Sequence, residues 1–498
     1  MDMRRFKNLF CVLLLLLAVA AVSCETKKEA SPPKEPGDAA EATEGGTVAE
    51  TPVLPEGTYG GRVIKIAAAS ETLWGNELIC PEAEDGEQVN DATFRRNKTV
   101  EDLFDVNLVQ VDINFMNFEK TFQNSVMAGD NIFDFAFPRL YHAVPLAAGG
   151  YLADFGGIPY VDPGRPWWDY AIVRDLSLAG RSFFLAGDIN MYAYDGTFVM
   201  AFNKRLHRQL GLENLYELVL EGKWTIDRLD TVMRAATSDL DGNGKMDFYD
   251  QFGLYANDVH SIVSLITAFD CNMFEKTAES EITFDITRER FVVSIEKINR
   301  LMNEGGAVFD GTNTKRGGNL PSGEWNYAQK VFSDGRALFM HQVLDTARMN
   351  RGMEDDFGLL PVPKFDEAQK EYFSPINDGV YVLVAPATLP PGDAEMLGGI
   401  MEAMAYEGQK QIIPAYYDKT LLQKNARDEE SEQMLDIVFR QRRYSLDEAY
   451  NFGGMKDKIV ALTRSNSSDV NSLSEKNAAA VQTAIDKLLD QYAALGAK

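Results

Sequence analysis

Residues Asp239–Asp250 read D-L-D-G-N-G-K-M-D-F-Y-D, the spacing of a twelve-residue calcium loop. Ca²⁺ is a hard cation that takes about six to eight oxygen ligands. Asp239, Asp241 and Asn243 fall at loop positions 1, 3 and 5, and Gly244 stands where the chain must turn sharply. Lys245 offers its backbone carbonyl at position 7, Asp247 acts through water at position 9, and Asp250 closes the loop where an EF-hand has Glu. A solvated polar turn after a helix has a similar composition, but here every oxygen position is filled. One such loop in so long a chain points to a structural Ca²⁺ rather than a sensor.

No other local motif carries chemistry. The chain lacks H-E-x-x-H, G-x-S-x-G, C-x-x-C and a phosphate loop, and its four histidines, His142, His207, His260 and His341, are scattered. So few imidazoles argue against a zinc or manganese carrier. The 75 acidic residues leave open the paired carboxylates that a glycosidase needs.

The N-terminus has Arg4, Arg5 and Lys7, an apolar run from Leu9 to Val22, and then Ser23-Cys24. That order is an export signal, too short in its apolar part to span a bilayer. The small residues before Cys24 resemble a bacterial lipoprotein signal, which makes Cys24 the lipidated first residue of the mature chain. Residues 24–57 are Lys, Glu, Pro, Ala, Gly and Thr with almost no large apolar side chain, the composition of a flexible tether. The net charge is −26, and removing residues 1–23, which carry a net +2, leaves −28. Such a field repels nucleic acid and anionic lipid. Cys80 and Cys271 remain after export, either as one disulfide or as two isolated buried thiols.

The elements that must position any site alternate between strand and helix. Arg62–Ala69 reads as a strand, Asn90–Phe104 as a helix, Val106–Phe115 as a strand, Glu119–Met127 as a helix and Phe133–Phe137 as a strand. This order predicts a parallel sheet covered by helices. Thr197–Phe202 is a further strand, and Thr225 caps a helix over Ile226–Ala236 that leads into the calcium loop. Gly335 separates a helix end from the strand that follows, prolines stop the strand Asp356–Pro363, and Ser474–Leu495 is strongly helical. About 440 residues follow the tether, more than one core usually takes, so two domains are expected.

Five segments in one order carry a resemblance: A-G-D at 128–130 with D-F at 134–135, F-N-K-R-L at 202–206, K-W-T at 223–225, S-D-G-R-A-L-F at 333–339 and F-G-L-L-P-V-P at 357–363. Together they resemble the extracellular solute-binding proteins of bacterial ABC importers, the family that includes maltodextrin-binding protein. The resemblance implies an α/β fold of two lobes of the type II periplasmic-binding-protein kind, with hinge strands between the lobes and the ligand cleft at their interface. Residues 58–196 and 364–425 would form lobe 1, and 197–363 and 426–498 lobe 2, with hinges near 197–203 and 357–363.

It implies binding and domain closure without bond making, and a monomer that hands its solute to ABC permease subunits and touches the membrane only through its lipid. Four of the five tryptophans fall where this fold places the cleft: Trp74, the pair Trp167 and Trp168, and Trp325 beside Glu324. Indole faces that stack on sugar C–H faces, next to carboxylates that accept from hydroxyls, suit a carbohydrate. The same side chains would also serve as core packing. Arg139, at the C-terminal end of a strand, stands at the edge where ligands of open α/β sheets gather. Tyr192 and Asp195 before the first crossing, and Asn377 and Asp378 after the second, complete the candidate ligand set. A surface lectin or a secreted carbohydrate-active hydrolase is the alternative.

Overall fold

The structure is a computed structural model and describes residues 50–70, 79–278, 281–310, 328–421 and 429–495. Cys24, Trp74, Glu324 and Trp325 lie outside these residues. Among the described residues, no helix is long and apolar enough to cross a membrane.

The first sheet forms as the alternation predicts. In β1 (Arg62–Ser70) Ile64 and Ile66 face inward while Val63 and Lys65 face solvent; β2 (Val106–Asn114) also starts with alternating burial, and β3 (Phe135–Phe137) is wholly buried. The order is β2-β1-β3, all parallel, with Ser70 opposite Asn114 and Ala68 opposite Phe137. Parallel pairing brings the C-terminal ends of all three strands to one edge. Beyond β3, residues 381–386 run alongside in the opposite sense, Val384 facing Ala136 and Tyr381 facing Arg139. Helices Gln88–Phe104 and Pro391–Leu421 pack together beside this sheet. The buried Arg96 joins them, its Nη1 donating to the carbonyls of Ile189 (2.8 Å) and Met404 (3.0 Å).

The second sheet has five strands: β4 (Phe198–Asn203), β5 (Phe252–Tyr255), β8 (Val308–Phe309), β9 (Ala337–Val343) and β10 (Phe357–Leu360), in the order β10-β4-β9-β5-β8. Only β4 runs against the rest. The strands are buried throughout, as expected of a sheet covered on both faces. Helix Ile226–Ala235 begins at Thr225, whose hydroxyl accepts from the Arg228 N–H as a cap. A hairpin of β6 (Phe274–Ala278) and β7 (Glu281–Phe284) lies outside both sheets.

Three segments run side by side where the chain passes from one sheet to the other. Thr197 pairs with Ile376, and the Asn377 N–H donates to the Gly196 carbonyl at 3.0 Å. The short strand β11 (Ser374–Pro375) pairs in parallel with β12 (Arg442–Arg443). The first crossing thus sits at the start of the expected hinge 197–203. The second differs from the expected 357–363, because β10 stays within the second sheet and the prolines do not release the chain: Lys364 still pairs with Thr225, and the return comes at Ser374–Asn377. A third crossing, which the lobe bounds put near 425–426, runs through Arg442–Arg443. Cys80 and Cys271 are free thiols, and burial pushes the Cys80 thiol up to about 12.

Within β9, His341 is fully buried beside Phe198, and burial lowers its pKa from 6.5 to about 3. The unfolded chain therefore takes up this proton first. The neutral imidazole's contribution is complete above pH 6.5 and is lost as pH falls from there toward 3. A His341→Leu variant should accordingly show a shallower loss of melting temperature over that acid range, read from thermal melts at stepped pH.

Candidate functional site: the cleft at the strand ends

The C-terminal edge of the first sheet carries an arginine ringed by aromatics. Arg139 follows β3 and opens helix Leu140–Ala148. Its guanidinium lies 5.5 Å from the Phe115 ring, 5.9 Å from Tyr141 and 5.4 Å from Tyr381, within cation–π range. The Arg139 Nε donates to the Tyr381 hydroxyl at 3.4 Å, and the Tyr381 ring packs against the Tyr192 ring, centroids 4.8 Å apart and planes tilted by 54°. Phe115 comes from the turn after β2, at the same edge by parallel register, and Tyr381 comes from the segment paired antiparallel beyond β3, directly opposite Arg139. Phe115 and Arg139 are half-buried and Tyr141 is exposed. Flat apolar faces around a fixed cation suit a ligand with both C–H faces and oxygens.

Facing this edge across the crossings is a charged group. Helix Asp258–Ala268 starts at the C-terminal end of β5, capped by the Asn257 side chain, and carries His260 in its first turn. His260 Nδ1 is 3.2 Å from Asn377 Nδ2, and the carbonyl of the neighbouring Asp378 accepts from the Tyr141 N–H at 3.1 Å. Lys456 donates to Asp378 Oδ2 at 2.6 Å and to Glu448 Oε2 at 2.5 Å. Burial and the nearby Asp378 push the Glu448 carboxyl up, and Lys456 draws it back. Arg464, on the same helix as Lys456 (Met455–Arg464), holds Asp258 through two bonds of 2.6 Å.

Of the residues expected at the cleft, Arg139, Tyr192, Asn377 and Asp378 are therefore brought together. The tryptophan pair is not. Trp167 has no exposed surface and Trp168 is 5% exposed; both indole N–H groups donate to one carboxylate, Glu402 Oε1 at 2.9 Å and Oε2 at 2.7 Å. Trp168 also bridges to Gly187, where a Cβ would meet the Trp167 carbonyl at 2.4 Å. With every polar atom of the indoles satisfied and their faces covered, the pair is core rather than cleft wall. Asp195 is likewise buried, accepting from the Tyr416 hydroxyl at 2.8 Å behind the first crossing. Trp224, the one tryptophan outside the expected cleft segments, is fully buried with its N–H on the Pro361 carbonyl.

Sequence reasoning missed Phe115, Tyr141, Tyr381, His260, Glu448 and Lys456. Phe115 and Tyr141 were within reach, since each directly follows a strand whose end was identified. Glu448 and Lys456 arrive through the third crossing and leave no local signature.

The Asp239–Asp250 loop folds back on itself between helix Ile226–Ala235 and β5, its ends held by pairing of Ser238 with Gln251. Asp239, Asp241 and Asp250 each present a carboxylate oxygen, the three within 4.8 Å of one another. Asp239 accepts from the N–H groups of Gly242 and Gly244, both at positive φ, and the buried Asp250 accepts from Leu240 and Asp247. Bonds from Gly244 and Gly242 hold the Asp239 carboxyl below its usual range.

Comparison with solved structures identifies the architecture. An ABC substrate-binding protein from Listeria monocytogenes, solved in complex with cycloalternan, superimposes with a TM-score of 0.54 at 11% identity, over 86% of this chain and 98% of its own. A cyclic α-maltosyl-1,6-maltose binding protein from Arthrobacter globiformis matches at 0.54 and 15% identity, over 88% and 99%. The maltose/maltodextrin-binding domain MalE from Bdellovibrio bacteriovorus, bound to maltotriose, matches at 0.52 and 12%, over 86% and 99%. The chain thus has the α/β fold of the solute-binding proteins of ABC transporters. No protein-family model and no curated protein matches its sequence.

Proposed function

We propose that this protein captures a carbohydrate between the two strand edges and delivers it to an ABC permease. The observation that carries this reading is the convergence of Arg139 and its aromatic ring with Asn377, Asp378 and His260, beside three adjacent crossing segments. Crossing strands are where a hinge absorbs rotation, and closure over a sugar converts occupancy into a shape a permease can read. The chemistry is binding alone: Arg139 donates to ligand oxygens, Tyr141 and Phe115 cover a C–H face, and Asp378 accepts from hydroxyls. The test is a calorimetric titration with maltotriose, maltotetraose, cellotriose and mannotriose, paired with small-angle scattering. A binding sugar should reduce the radius of gyration; no heat from any of them would refute the reading.

Cys24 is the proposed lipid anchor. Cys24→Ala should move the protein from the membrane to the soluble fraction without altering its melting temperature, because residues 25–49 carry almost no large apolar side chain to contribute to a core. Unchanged fractionation would exclude the anchor.

The Asp239–Asp250 loop is the proposed Ca²⁺ site, and its residues fit the ion: three converging carboxylates, a turn made by glycines and loop ends fixed by pairing. It lies beyond a helix end, apart from the cleft, so the ion would stabilise rather than be transported. At a Ca²⁺ concentration about 100 times Kd, binding adds about 2.7 kcal/mol. A chelator should lower the melting temperature, and the Asp239→Ala, Asp241→Ala double variant should melt low with no further response to chelator.

A further inference from the structure

His260, Asp378 and Glu448 each present one polar atom, and these lie within 4.8 Å of one another. Lys456 occupies one oxygen of each carboxylate. The other Glu448 oxygen, Oε1, is buried without a hydrogen-bond partner on a residue 4% exposed. An acceptor left unbonded in a buried place is costly, so a donor that is not part of the chain, an ordered water or a ligand hydroxyl, would stabilise it.

The state of His260 follows from its neighbour. Asn377 Oδ1 accepts the Gly379 N–H at 2.8 Å, which fixes the amide so that Nδ2 donates to His260 Nδ1 at 3.2 Å. Nδ1 is therefore the acceptor of a neutral ring and Nε2 carries the proton. Burial lowers the His260 pKa and favours this neutral form, against Asp378, which raises it; Lys456 adds to the lowering and Asp258 opposes it. The cluster thus sets a neutral imidazole, which carries one N–H donor, among carboxylate acceptors on Glu448 and Asp378. His260 and Asp378 are partly open to solvent, and Glu448 forms the floor.

This pattern selects among ligand groups. A divalent metal would have to displace the Asn377 amide from Nδ1 or the proton from Nε2, and would sit against the Lys456 ammonium. A ligand carboxylate would meet Asp378 and Glu448, and a ligand ammonium would meet Lys456. A hydroxyl both donates and accepts and brings no charge.

We propose that His260, Asp378 and Glu448 form a hydroxyl-reading subsite that restricts the ligand to neutral sugars and rejects uronates. The proposal rests on the carbohydrate reading above and deepens it. Lys456 is a positioning residue that holds the two carboxylates in place. The Tyr141 backbone N–H is bonded to the Asp378 carbonyl, so the main chain that carries the exposed Tyr141 ring adjoins the subsite, and a sugar bound there would have an aromatic face within its reach.

The test titrates wild type, His260→Ala and Glu448→Gln with maltotriose, cellotriose, mannotriose, trigalacturonate and Zn²⁺, with thermal melts of each protein. Wild type should bind a neutral trisaccharide and bind trigalacturonate at least 100-fold more weakly. Each variant should lose at least tenfold in affinity for the neutral sugar while melting close to wild type. If a variant misfolds, the other decides. Neutral-sugar affinity within twofold of wild type in a folded variant overturns the subsite and leaves the carbohydrate reading standing. Preferential binding of trigalacturonate, or Zn²⁺ binding lost in His260→Ala, overturns it in favour of an acidic ligand or a metal. Binding of no sugar by wild type overturns the carbohydrate reading and the subsite together.

Discussion

Replacing Trp167 with alanine should destabilise the protein by about 3–5 kcal/mol and leave sugar affinity of the folded fraction unchanged. The indole has no exposed surface, so truncation opens a cavity, and it strips from Glu402 Oε1 the indole donor, leaving Oε2 with Trp168 and the Asp162 N–H; the buried oxygen then loses about 1–3 kcal/mol of compensation. Glu402→Gln tests the second part alone. An amide offers one acceptor for two indole N–H groups and turns its NH₂ against the other, so this variant should lose about 1–3 kcal/mol with no cavity formed. Denaturant melts of both variants, with sugar titrations below the transition, separate core from cleft. A Trp167→Ala protein that melts like wild type but no longer binds would return the pair to the ligand.

The tryptophan pair also shows how far the sequence could be read. Composition marked Trp167 and Trp168 as large amphipathic faces beside Pro166 and Asp169, equally suited to a sugar or a core. What decides between them is Glu402, more than 230 positions away on the helix Pro391–Leu421. Arg139 was legible because its argument needed only local facts: a strand, its C-terminal end, and the rule that ligands gather there. Alternation in Arg62–Ala69 and Val106–Phe115 placed both strands to within a residue or two. The crossings were harder. The first announced itself as a strand after Gly196, whereas the second was placed too early because prolines at 361 and 363 look like an exit while the chain remains paired at Lys364. Residues that reach the cleft through the third crossing, Glu448 and Lys456, are defined by contacts with His260 and Asp378 that no periodicity encodes.

The largest expected effect on binding is at Arg139. Arg139→Ala should weaken binding of the sugar found by titration by about 2–3 kcal/mol, a 30- to 150-fold rise in Kd, since a hydrogen bond from a charged donor contributes about 1.5–3 kcal/mol and its stacked rings lose their cation. Stability should change far less, because the guanidinium is half-buried at a strand end rather than inside either core. Tyr381→Phe distinguishes direct contact from support. It keeps the ring that packs against Tyr192 and Arg139 but removes the hydroxyl to which Nε donates at 3.4 Å. If Arg139 touches the ligand, freeing Nε in Tyr381→Phe should change affinity by no more than about fivefold, since a bond as long as 3.4 Å contributes at the low end, about 0.5–1 kcal/mol. If Arg139 serves only to hold Tyr381, the two variants should lose affinity equally. Arg139→Lys completes the comparison: a compact ammonium keeps the charge but loses the planar fork, so it should recover little of the binding where the guanidinium grips two ligand oxygens at once. Wild-type affinity in Arg139→Ala would remove the aromatic-ringed arginine from the ligand site and leave the charged group around His260 to bind alone.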